Sequence, residues 1–134
     1  MPITYRTALI GAVLAGGLLA QAPPSQLPPQ FETRLGARME QLKDQLHITP
    51  QQADQIRPIF VDELWQFKAM LDKYGDPRDA SLLTRRRMRL EGKSIRDKTD
   101  DQLKTILSKQ QMKDFKQIRE QWRQETRAEI MNGG

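Results

Sequence analysis

Leu46-His47-Ile48-Thr49-Pro50-Gln51-Gln52-Ala53 carries every device of a helix entrance. Thr49 fits the N-cap, where its hydroxyl accepts from the backbone N–H three residues on. Gln52 can reach back to the Thr49 N–H and close a capping box. Pro50 falls on the first helical position, where a missing donor costs nothing and the fixed φ suits the helix. Ile48 and Ala53 occupy the two staple positions. The device recurs in Leu107-Ser108-Lys109-Gln110-Gln111-Met112: apolar residue, hydroxyl cap, two residues, glutamine, apolar residue. Each copy opens an amphipathic run, so the pair reads as an internal repeat of a helix–turn–helix unit.

Working outward, Phe31, Leu35, Met39, Leu42 and Leu46 step by three and four and predict a first helix ending near His47. The second helix is expected over Pro50–Tyr74, with Ala53, Ile56, Phe60, Leu64, Phe67, Leu71 and Tyr74 forming nearly a heptad, coiled-coil-like seam. Gly75 stops it, and Pro58 predicts a kink rather than a break, because the seam stays in register past it. Val61 and Trp65 stand off the seam, either facing a second surface or exposed. A third helix is expected from Asp79 to Leu107, apolar at its ends and polar from Glu91 to Gln102, a partly solvated strut. The fourth begins at Ser108 with Met112, Phe115, Ile118 and Trp122 as its stripe, and its tail past Glu125 predicts fraying or packing on a second subunit. The fold class is therefore all-α, about four helices in an elongated antiparallel, hairpin-like arrangement over 31–131. Each helix offers one narrow stripe, so a homodimer is expected to complete the core.

The first 22 of 134 residues read as an export signal: Arg6, then an uncharged run from Ala8 to Ala20, then Ala20-Gln21-Ala22. That run is shorter than the roughly 20 residues of a membrane span. Pro23 disfavours cleavage after Ala22, which leaves a cut after Ala20 or an uncleaved tether. Residues 23–30 form a Pro-rich linker. The chain has no cysteine, which removes a lipoprotein anchor, a disulfide framework and thiolate metal sites. Past the signal, 21 basic residues stand against 17 acidic ones, a modest excess that favours acidic partners.

The two boxes, Ile48-Thr49-Pro50-Gln51-Gln52 and Leu107-Ser108-Lys109-Gln110-Gln111, resemble the paired LTxxQ motifs of the Spy/CpxP family of small exported helical proteins. The resemblance covers about residues 31–125, with Ile for Leu in the first copy and Ser for Thr in the second. It implies a cradle-shaped antiparallel homodimer in the periplasm. It also implies ATP-independent chaperone activity or, in some relatives, repression of an envelope-stress sensor or metal sensing.

Arg85-Arg86-Arg87-Met88-Arg89, followed by Lys93, Arg96 and Lys98, is the densest basic run, and Arg85, Arg89, Lys93 and Arg96 share one helical face. One reading is a solvated face interleaved with acids. The other is a cationic surface that attracts unfolded client proteins, with Met88, Leu90, Ile95 or Trp65 holding apolar client segments loosely. No recognition-helix turn or aromatic platform accompanies the run, so nucleic acid is not an expected partner. His47 is the only histidine and the methionines fall mostly on stripes, so no metal or other cofactor is expected. No nucleophile–base pair, phosphate loop or HExxH helix suggests an enzyme.

Overall fold

The computed structural model describes residues 27–132, so the expected export signal and its cut site lie outside the described residues. Four α-helices and one 3-10 turn follow in order, with no strand among the described residues: α1 (Pro29–Leu46), α2 (Pro50–Tyr74), the turn Pro77–Asp79, α3 (Leu82–Leu103) and α4 (Lys109–Met131). The fold is all-α, as the apolar spacings require.

Helix α1 begins two residues before the expected Phe31. Pro29 pre-sets its first turn, and Phe31 and Glu32 donate to the Pro28 carbonyl at 2.9 and 3.0 Å. Leu27 is buried against the core, so the end of the Pro-rich stretch belongs to the fold and is not linker. Leu35, Met39, Leu42 and Leu46 form the buried stripe. The helix stops at His47, whose φ of 53° and ψ of 44° are left-handed. It is the one non-glycine residue with positive φ among the described residues.

Helix α2 has the expected bounds and runs unbroken through Pro58. The ring and the Asp54 side chain four residues earlier are both exposed, so the carbonyl that loses its partner lies on the solvent side. Gly75, at φ 83°, ends the helix and donates to the Leu71 carbonyl at 2.7 Å.

Helix α3 is shorter than the expected Asp79–Leu107. Its N-cap is Ser81, which accepts from Thr84 N–H at 3.1 Å, while Asp76 caps the separate 3-10 turn before it. At the far end the bonds tighten to three-residue spacing, Thr105 to Gln102 and Ile106 to Leu103, before Ser108 restarts the chain. Helix α4 stays helical through Met131, past the point where fraying was expected, and Arg34 of α1 meets Glu129 near its end at 3.3 Å.

The main core joins α1, α2 and α4 with the last turn of α3. Phe60, Phe115 and Trp122 sit at its centre with ring centroids 5.9–6.1 Å apart. A second, smaller cluster of Met70, Met88 and Ile95, flanked by Phe67 and Tyr74, lies between α2 and α3 alone. There Phe67 packs over Gly92, which is itself buried. No described helix is long and apolar enough to cross a membrane.

Left-handed backbone costs an L-residue roughly 1–2 kcal/mol, and glycine escapes that cost. His47→Gly is therefore expected to raise stability by about 1 kcal/mol, read as a higher urea midpoint with an unchanged slope.

Candidate functional site

The two capping boxes meet face to face. In the first, Gln52 N–H donates to Thr49 Oγ1 at 3.0 Å and Thr49 N–H to Gln52 Oε1 at 2.9 Å. In the second, Gln111 N–H donates to Ser108 Oγ and Ser108 N–H to Gln111 Oε1, each at 3.0 Å. The glutamines then bond each other: Gln52 Nε2 donates to Gln111 Oε1 at 2.9 Å, and Gln111 Nε2 to Gln52 Oε1 at 3.2 Å. Their remaining amide protons go to the opposite loops, Gln52 to the Ile106 carbonyl at 3.1 Å and Gln111 to the Leu46 carbonyl at 3.3 Å. Each side-chain amide thus accepts two bonds and donates two. Ile48 and Leu107, the apolar residues before the caps, are buried beneath. The glutamine in each box does more than close its own turn; it clasps the α1–α2 loop to the α3–α4 loop.

Farther into the bundle a chain of charges touches all four helices. Glu63 of α2 has no exposure at all. Arg119 of α4 reaches it with Nη1 3.0 Å from Oε2 and Nη2 2.8 Å from Oε1, and Nη2 also donates to Asp100 of α3 at 2.8 Å. Arg38 of α1 stands 3.7 Å from the same carboxylate. Both guanidiniums cover rings, Arg38 over Trp122 at 4.5 Å and Arg119 over Phe115 at 5.1 Å. Trp122 in turn donates its indole N–H to Gln41 at 2.7 Å. Burial pushes Arg38 down to about 10 against the pull of Glu63. Burial acts the same way on Arg119, but the charge and hydrogen bonds of Glu63 and Asp100 outweigh it and leave its pKa raised.

The basic run divides. Arg85, Arg86, Arg87 and Arg89 are exposed, and among the described residues none has a carboxylate oxygen within ion-pair distance. Arg85 spends its protons on the turn, donating to the Pro77 and Arg78 carbonyls at 2.9 and 3.0 Å. Lys93 is paired with Asp97 at 2.7 Å. Arg96 does not join the exposed cations: it is half-buried over Gly92, and burial, then Arg123 and Arg119, lower its pKa.

Met88 and Ile95 are buried in the α2–α3 cluster and cannot hold a client, which corrects the expectation for both. Trp65 is half-buried and packed against the main core. Leu90 is exposed as the client reading requires, at 62%, but the larger apolar contribution comes from Leu82 and Leu83, at 83% and 60%. In the sequence these two belong to the apolar end of the third helix. Helix α3 buries Met88, Gly92, Ile95, Thr99 and Leu103, and that rotation leaves Leu82, Leu83 and Leu90 on the opposite side.

Sequence reasoning also missed Glu63 and Arg119. The signal was available: Glu63 lies three residues after Phe60, and Arg119 falls between Phe115 and Trp122 at core spacing. Among the described residues no group of three or more His, Asp or Glu side chains is placed to hold a metal ion. No protein-family model, curated protein or solved structure matches the chain.

Removing one partner of a buried ion pair strands the other, at a cost of about 3–5 kcal/mol. Glu63→Gln is expected to lose that much in urea denaturation, because Arg38 and Arg119 keep their charges. For the clasp, Gln52→Ala and Gln111→Ala should each cost about 1–2 kcal/mol. The double variant should lose about 1 kcal/mol less than the sum, since either deletion orphans the other amide; strict additivity would contradict the clasp.

Proposed function

We propose that this protein is an exported, ATP-independent chaperone of the Spy/CpxP type. It holds unfolded or aggregation-prone proteins loosely on the outward face of α3 and acts as a homodimer in the periplasm. The observation that carries this reading is the coincidence on one short stretch of exposed Leu82, Leu83 and Leu90 with exposed, carboxylate-free Arg85, Arg86, Arg87 and Arg89. Cations draw a client in from a distance, and the leucines give it a shallow apolar hold that does not enclose it. The duplicated boxes at Thr49 and Ser108 support the family resemblance, because both departures from LTxxQ keep the capping chemistry.

The confinement of that patch to three turns also favours a second reading, a regulator that docks on one acidic sensor protein of an envelope-stress or heavy-metal response. A chaperone slows aggregation of several unrelated substrates, whereas a regulator ignores them and retains one partner.

With Arg85 committed to the turn, the test uses the other three. Arg86→Glu, Arg87→Glu and Arg89→Glu together are expected to slow client capture at least about tenfold at low salt. The difference should shrink as salt is added. Light scattering of several aggregating substrates measures both. Unchanged suppression at low salt would remove this surface from the mechanism.

A further inference from the structure

The same stretch has a property that binding a soluble protein does not require. Residues 78–98 hold eight of the 22 basic and three of the 17 acidic residues, leaving fourteen of each elsewhere, so the whole formal charge of +5 resides there. Helical spacing of 3.6 residues per turn puts Leu82, Leu83, Arg86, Leu90 and Lys93 on the side away from the buried Met88, Gly92, Ile95 and Thr99. Arg89 and Arg87 flank that face on its two sides. The arrangement is a lengthwise face of three leucines with Arg86 and Lys93 between Leu82 and Leu90 and Arg89 and Arg87 at its edges.

We propose that this face of α3 docks on an anionic phospholipid bilayer. A helix lying in the interface sinks its apolar side chains to the acyl boundary while arginines stay at the phosphates, their stems along the apolar surface. Leu82, Leu83 and Leu90 are exposed enough to enter without any change in the fold. Charge complementarity decides the occupant. The arginines fan out on both sides of the strip, and a continuous anionic plane meets all of them at once, whereas a folded protein would need a carboxylate placed for each. Each basic residue near such a surface contributes about a factor of five in affinity.

The chain has no cysteine, so Leu83→Cys gives a single site for a polarity-sensitive dye in the full chain, and Gln45→Cys, exposed near the end of α1, gives a control. The probe surfaces are vesicles of phosphatidylcholine with or without 30% phosphatidylglycerol. The dye at 83 is expected to shift to the blue on anionic vesicles only, to lose the shift at high salt, and to bind on the order of a hundredfold more weakly with Arg86→Gln, Arg87→Gln and Arg89→Gln. The dye at 45 should not move. Reading the dye separates this face from any vesicle binding by residues 1–22.

No shift on anionic vesicles, an equal shift on neutral ones, or a shift that survives the arginine changes overturns the proposal. A shift that grows with protein concentration in the absence of vesicles assigns the face to a second copy and overturns it as well. A shift with an unfolded protein but none with vesicles overturns it while leaving the chaperone reading in place. A vesicle shift without aggregation suppression supports it and removes that reading.

Discussion

A carboxylate with no access to water has to be neutralised where it stands, and Glu63 sets that condition for the whole bundle. Desolvating Glu63 and Arg119 costs several kcal/mol per ion, and only short bonds with most lone pairs occupied return it. Arg119 meets the condition in part, with one hydrogen bond at 3.0 Å and an ion-pair contact at 2.8 Å, while Asp100 takes up the guanidinium's outer side and Glu63 Oε1 and Arg119 Nε keep no hydrogen-bond partner. Because Arg38, Glu63, Asp100 and Arg119 come from four different helices, the requirement is global. A slip of one helix by a turn, about 5.4 Å, would leave a charge buried without a partner. Apolar stripes alone tolerate such slips; this column does not. It is the element that selects one register among the several that four narrow leucine and phenylalanine stripes would accept.

The Gln52–Gln111 pair does at the loop end what the charges do inside. Both loops bring free backbone donors and acceptors, as every helix terminus does. Two identical boxes turned toward each other let one residue type satisfy its own cap, its counterpart and the opposite loop. The duplication therefore has a structural consequence that neither copy has singly. It joins the α1–α2 turn to the α3–α4 turn without disulfide or metal, in a chain that contains no cysteine. Phe60 and Phe115 lie between clasp and charge column, and Trp122 lies one turn beyond Arg119. The far half of α2 and α3 rests on the small Met70–Met88–Ile95 cluster and on the bonds of Lys73 and Tyr74 to Glu91 at 3.3 and 3.1 Å.

The helices and both capping boxes were legible in the sequence because they depend on local chemistry: Thr49, Pro50 and Gln52 act within one turn of each other. The bounds of α2 followed from that box and from Gly75. Where the reading went astray, the deciding contacts were remote or subtle. Asp79 was expected to start α3, but it closes the separate 3-10 turn capped by Asp76, and Ser81 caps the helix. The face that α3 buries could not be read from its own apolar residues. Leu82, Leu83 and Leu90 are as apolar a set as Met88, Ile95 and Leu103, yet Gly92 and Thr99 lie on the buried side with the latter, and the former face out. A stripe of small residues defines a contact as firmly as a stripe of large ones, and it leaves almost no hydropathy signal. Glu63 was hidden for the converse reason, since a charged residue at core spacing looks like a surface residue until its partner, 56 positions away, is in place.

This outcome separates two populations of charge. Inside the bundle, cations and carboxylates are matched pair by pair, since an unmatched one is costly in low dielectric. An excess of one sign can then accumulate only where water screens it, on an element whose other side asks little of the core. Helix α3 is that element: a thin stripe of methionine, glycine, isoleucine and threonine suffices to seat it against α2. Its remaining circumference is free to carry the arginines and the leucines between them. A wider apolar stripe would have drawn Leu82, Leu83 and Leu90 inward. Carboxylates one turn away on α3 itself would have paired Arg86, Arg87 and Arg89. The narrowness of the stripe that α3 buries is thus the physical condition for an exposed cationic and apolar face on its other side.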